Sequence, residues 1–181
     1  MRRLFFFAPL LLVSAAAFAA DPAIENLTAV ASHEKVSVSF RLARAFDGGS
    51  VVEALQSGVA TSFTYQVELF RDRPNWFDDS VAESRIDVVC TFNSLTREYL
   101  LNYRRDRKLV RSETFTDLQA LERRMSTIEE RDLFDIGRRR AYKLKVRVKA
   151  GLMRDWVMYV IPWHVETGWR ETRVKTAETK P

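Results

Sequence analysis

Among 181 residues there is a single cysteine, Cys90, so no intramolecular disulfide can form and the fold must rest on its hydrophobic core. Two histidines, His33 and His164, together with that lone thiol, leave too few nitrogen and sulfur donors for a recognisable transition-metal motif. Glycine is also scarce, at six residues, and no phosphate-loop or dinucleotide-binding fingerprint occurs. A nucleophilic serine in a Gly-x-Ser-x-Gly frame is missing as well. Charge of one sign does not dominate. With 29 Lys and Arg against 24 Asp and Glu, the chain is too evenly balanced for a nucleic-acid-binding domain.

No apolar run reaches the roughly 20 residues that a membrane-spanning helix needs. The longest, Leu4 to Phe18, comes after Arg2 and Arg3 and ends in Ala17-Phe18-Ala19, the small-x-small pattern of a signal-peptidase site. Residues 1–19 are therefore expected to be a signal peptide cleaved before Ala20, which places the mature chain in the periplasm. The mature chain reads as one β-rich domain over 20–170 and a polar, mobile tail over 171–181. Within the domain, the segment from Ala20 to Leu27 is polar, with Asp21-Pro22 reading as a linker.

The clearest local grammar runs from Asp47 to Arg71. Gly48-Gly49 make a turn, Ser50 and Glu53 are spaced as a capping box, and Gly58 stands where a left-handed residue ends a helix of about two turns. Phe63, Tyr65, Val67 and Leu69 then alternate with polar residues, as a strand with one buried face requires. The same period of two recurs in Lys35–Leu42, Ile86–Phe92, Arg97–Tyr103 and Tyr142–Lys149, with Thr28–Ser32 and Leu109–Ser112 as shorter candidates. The 86–103 pair reads as a hairpin. The wet face of Tyr142–Lys149 is wholly cationic, a usual way to blunt an exposed edge or face. Thr116 is expected to cap a second helix that places Leu118, Leu121, Met125 and Ile128 on one face, with Leu133, Phe134 and Ile136 anchoring the return to the sheet.

Candidate chemistry is thin. Cys90 shares a face with Val88 and Phe92 and reads as a small buried hydrophobe, and Asp78-Asp79 reads as a solvated turn. The basic clusters Arg104–Lys108 and Arg138–Arg140 suit either solvated turns or contact with anionic lipid, polymer or protein. Tryptophan and arginine favour binding hot spots, which makes Trp76 and Phe77 on a loop, and Trp156 and Trp163 flanking an apolar segment, the candidate binding residues. No catalytic residue, metal or cofactor is expected.

The stretches ALQSGVATSFTYQVEL, RPNWFDDSVAES, CTFNSLTREYLLNY and LQALERRM resemble an exported bacterial family, domain of unknown function number 4390. The resemblance covers roughly Leu27 to Trp169 and rests on Ala54, Leu55, Gly58, Phe63, Trp76, Leu95, Thr96 and Tyr99. It implies an uncharacterised periplasmic envelope protein and carries no catalytic signature. The expected fold is a mainly antiparallel β-sandwich, immunoglobulin-like or similar, with two short helices; an open sheet packed on the helices is the alternative. The expected function is an accessory domain that binds an envelope protein, with no nucleic acid and with peripheral membrane contact as an option. A carrier of an apolar ligand, lined by Phe63, Tyr65 and Tyr99, is the alternative.

Overall fold

The computed structural model describes residues 21–72, 79–137, 143–154 and 164–177. Trp76, Phe77, Trp156, Trp163 and the Arg138–Arg140 cluster lie outside the described residues. The strands are β1 (Ala23–Ser32), β2 (Lys35–Ala43), β3 (Thr61–Arg71), β4 (Asp79–Asn93), β5 (Glu98–Arg105), β6 (Lys108–Phe115), β7 (Thr127–Asp135), β8 (Leu144–Arg154), β9 (His164–Glu166), β10 (Arg170–Arg173) and β11 (Lys175–Thr176). Two helices interrupt them, α1 (Ser50–Gln56) after β2 and α2 (Leu118–Ser126) after β6.

The strands form two sheets. The smaller runs β11-β1-β2-β7; the larger runs β10-β8-β3-β4-β5-β6, with β9 also on β8. Every described pairing is antiparallel except β1 with β11. The alternating apolar positions supply one shared core: Val36, Val38, Phe40 and Leu42 from β2 join Phe63, Tyr65, Val67 and Leu69 from β3. Phe40 meets Tyr65 edge-on at 5.2 Å between ring centres, which ties the sheets face to face. The architecture is the expected antiparallel sandwich.

Both helix starts differ from the sequence reading. At α1 the N-cap is Gly49, left-handed at φ 75°, and no side chain caps the helix, so the Ser50–Glu53 capping box does not form. Two consecutive left-handed glycines already turn the chain into the helix, and Glu53 N–H donates to Gly49 O at 2.9 Å. The end is as expected. Gly58, at φ 80°, donates to Leu55 O while Val59 donates to Ala54 O, the paired bonds of a Schellman stop. At α2 the cap is Asp117 and not Thr116, because the Asp117 carboxylate accepts from Ala120 N at 2.8 Å.

That second helix is also shorter than its apolar spacing suggests. It stops at Ser126, and Ile128 belongs to β7, where Ile128, Glu130 and Phe134 point inward. The unpaired edge of β2 offers a ladder of backbone bonds that the helical extension would forgo. Extra residues around left-handed Asp132 break the register and hide this strand's period in the sequence.

Further expectations are corrected or narrowed. The polar N-terminal segment is strand from Ala23 onward, directly after Asp21-Pro22, with Ile24 buried and an irregularity at left-handed Asn26. The tail carries β10 and β11, with Val174 buried between them. Of the edge and the face that its cations could blunt, β8 has the face, since β3 flanks it on one side and β9 and β10 on the other. Three of its cations are paired: Lys145 with Asp72 at 3.0 Å, Arg147 with Glu68 at 2.7 Å and Lys149 with Glu166 at 2.9 Å. Neighbouring strands place carboxylates opposite them. Asp79 opens β4 and sits 3.9 Å from Arg71, so it is not part of a free turn.

An arginine-lined cleft at the open side of the sandwich

Strand β6 ends the large sheet and β7 ends the small one, and α2 connects the two in sequence. The β5–β6 hairpin turns through Asp106 and Arg107, both left-handed at φ 50° and 68°. That is the tight two-residue hairpin geometry. The Asp106 carboxylate pins it, accepting from Arg85 N at 2.9 Å and from Ser84 Oγ at 3.1 Å. Four of the five residues in the Arg104–Lys108 cluster are cationic, yet this one acid sets its shape.

Behind the turn, side chains from β5, β6, α2 and β7 close the open side of the core. Tyr103 donates to buried Glu130 Oε1 at 2.6 Å, and Arg105 Nη1 donates to Glu130 Oε2 at 2.8 Å. The Arg111 guanidinium lies over the Tyr103 ring at 4.0 Å, with Arg124 farther out at 5.7 Å. Glu113 accepts from both Nε and Nη2 of Arg124 at 3.0–3.1 Å, a forked arrangement. The same carboxylate is 3.1 Å from Arg111 Nε, but too far off line to count as a hydrogen bond. Burial first, and then the bond to Glu130, push the Tyr103 hydroxyl well above its ordinary pKa, so it remains a donor.

Outside this cluster is an open cleft of about 460 Å³, lined by Arg111, Phe115, Ala120, Arg123, Arg124, Thr127 and Glu129. A second groove of about 290 Å³ shares Arg123 and Thr127 with it and adds Arg41, Arg44, Asp47 and Glu122. Arg44 is held by Glu25 at 2.9 Å. Arg41 and Arg123 have no carboxylate partner among the described residues. This pair is therefore free to meet an anion or an acidic side chain.

The remaining candidates sit elsewhere. Among the described residues, no group of three His, Cys, Asp or Glu side chains could hold a metal ion. Phe63 and Tyr65 are fully buried, and Tyr99 is buried against Phe92 at 4.7 Å, so these rings pack on protein and not on a void. Trp169 is 40% exposed, and Arg147 and Lys149 approach its ring at 4.8 and 5.4 Å. No described helix is long and apolar enough to cross a membrane.

Cys90 is fully buried in β4, and burial raises its thiol to about 12. A thiol reagent at pH 8 is therefore expected to label the protein only through unfolding, and labelling of the native state within minutes would contradict this burial. The neutral thiol is the form the fold favours. Its contribution is intact below the ordinary thiol value of 9.0 and fades as pH climbs from there toward 12.

The sequence pattern puts Arg123 and Arg124 on a helix face turned to water and does not connect them with Arg41, Arg111, Tyr103 or Glu130. The alternation of Arg111, Glu113 and Phe115 is the one local signal that points to the cluster. The pairing across the open side is set by β7, whose strand character the sequence disguises.

Two packed sheets with an arginine-lined cleft at their open side make this a mainly-β protein. More particularly, the chain belongs to the family described as Domain of unknown function (DUF4390), which it matches over residues 19–172. No curated protein and no solved structure matches it.

Proposed function

We propose that this chain is an exported, periplasmic accessory domain that works by binding an envelope protein, without catalysis of its own. The observation that carries the reading is the pair of adjoining grooves beside α2, where Arg41 and Arg123 have no carboxylate partner among the described residues while the core behind them is filled. Unpaired guanidinium groups are suited to carboxylates on a partner, because each presents a planar fork of donors that matches a carboxylate in two parallel hydrogen bonds. The rim of such a site speeds association more than it tightens it. Affinity is accordingly expected to fall with salt.

The test is a photo-reactive residue introduced at Arg123 in the exported protein, irradiated in intact cells. A discrete covalent adduct to one envelope protein is expected from Arg123, and reversing Arg41 to Glu is expected to diminish it. Absence of any adduct from positions 41 and 123 would overturn the proposal. So would native mass spectrometry that finds a retained apolar ligand at near-unit occupancy.

A further inference from the structure

The outer edge of β6 has no strand partner among the described residues. Strands β10 and β11 are only four and two residues long, and β7 is interrupted at left-handed Asp132. Strand β6 runs for eight residues without proline, and its one extra residue, Val110, set opposite the Tyr103–Arg104 step, leaves Arg111 to Phe115 as a regular stretch. Its N-terminal half also exposes apolar side chains: Leu109 is 60% exposed, Val110 51%, and Leu100 on the adjoining β5 43%. An open edge with that surface is a template for another strand.

Its own sequence answers which strand. We infer that the edge is completed by a second copy of this chain, β6 against β6, antiparallel about a two-fold axis at Ser112. A two-fold pairing centred there sets Arg111 of each copy opposite Glu113 of the other, Val110 opposite Thr114, and Ser112 opposite itself. Every facing pair is compatible. Sliding one copy by two residues puts Arg111 against Arg111 or Glu113 against Glu113, and sliding it by one leaves each of these charges facing an uncharged residue.

Arg111 and Glu113 point toward the sandwich interior side of the edge, where each already touches the cluster that closes the core. Their alignment before association lowers the ordering cost of the cross-strand pairs. The dimer would join the large sheets of two copies into one and bring two arginine-lined clefts side by side. It does not depend on what those clefts bind.

Sedimentation velocity of the full mature protein over a concentration series is the test. A reversible monomer–dimer equilibrium is expected, and Arg111→Glu or Glu113→Arg alone should weaken it by about tenfold or more, since each change replaces two attractive pairs by two repulsive ones. Mixing the two variants restores complementarity in both pairs, and the mixture should recover a heterodimer. A merely structural role for either residue would not produce that rescue. As a second measurement, Ser112→Cys should form a disulfide-linked dimer with its own copy under mild oxidation, while Val110→Cys should not; native Cys90 is buried and stays out of the reaction. A protein that sediments as a monomer at all concentrations, or a dimer indifferent to both charge reversals, would overturn the inference.

Discussion

Tyr65→Ala is expected to lower the free energy of unfolding by about 4–5 kcal/mol, as measured by urea titration. Tyr65 is fully buried at the centre of β3, its ring stands edge-on to Phe40 of the opposite sheet, and its hydroxyl donates to Met125 O at 2.8 Å. One side chain thus joins both sheets and the last turn of α2. Removing it leaves a cavity and strips the Met125 carbonyl of that donor. Tyr65→Phe keeps the ring and loses only the hydroxyl, for about 1–2 kcal/mol. Burial raises the Tyr65 pKa well above the ordinary value of 10.0. The stabilisation is therefore complete below that value and declines as pH rises above it. A Tyr65→Ala variant within about 1 kcal/mol of wild type would mean that the sheets do not meet at this ring.

Glu130→Ala is expected to cost about 2–3 kcal/mol, because it removes the acceptor of two short hydrogen bonds from Tyr103 and Arg105. The penalty falls mainly on Tyr103, which is buried; Arg105 is 39% exposed on its side chain and can be rehydrated. Glu130→Gln keeps one acceptor and the shape, so it should lose roughly half as much. Combining Glu130→Ala with Tyr103→Phe should cost less than the two single losses added, since the second change removes the donor stranded by the first. Strict additivity in that cycle would show that the two side chains do not interact across the open side.

Much of the sandwich is legible because strand period is a local property. Val36 to Leu42, Phe63 to Leu69 and Ile86 to Phe92 alternate in the sequence and alternate between core and solvent in the fold. Gly58 is legible for a similar reason, since a left-handed stop favours a residue with no Cβ. The N-caps are not. Ser50 and Thr116 have suitable chemistry, but Gly49 and Asp117 are where the chain actually turns into each helix.

Neither is β7, whose TIEERDLFD carries five charged residues in nine and reads as the end of an amphipathic helix. Its strand character comes from the waiting edge of β2, a partner more than eighty residues away in the chain. The arginine-lined cleft inherits that difficulty. Arg111, Arg123 and Arg124 look like solvated charges until β7 brings Glu130 to Tyr103 and α2 brings Arg124 to Glu113.

A two-faced β fold, a buried unpaired thiol and the stop of the first helix are thus written in local patterns, because each depends on neighbours within a few residues. Where the sheets end, which charges are neutralised and which stay free are settled only by packing. Ion pairing and edge exposure depend on distances between strands remote in sequence, and those distances exist only after the sheets have paired.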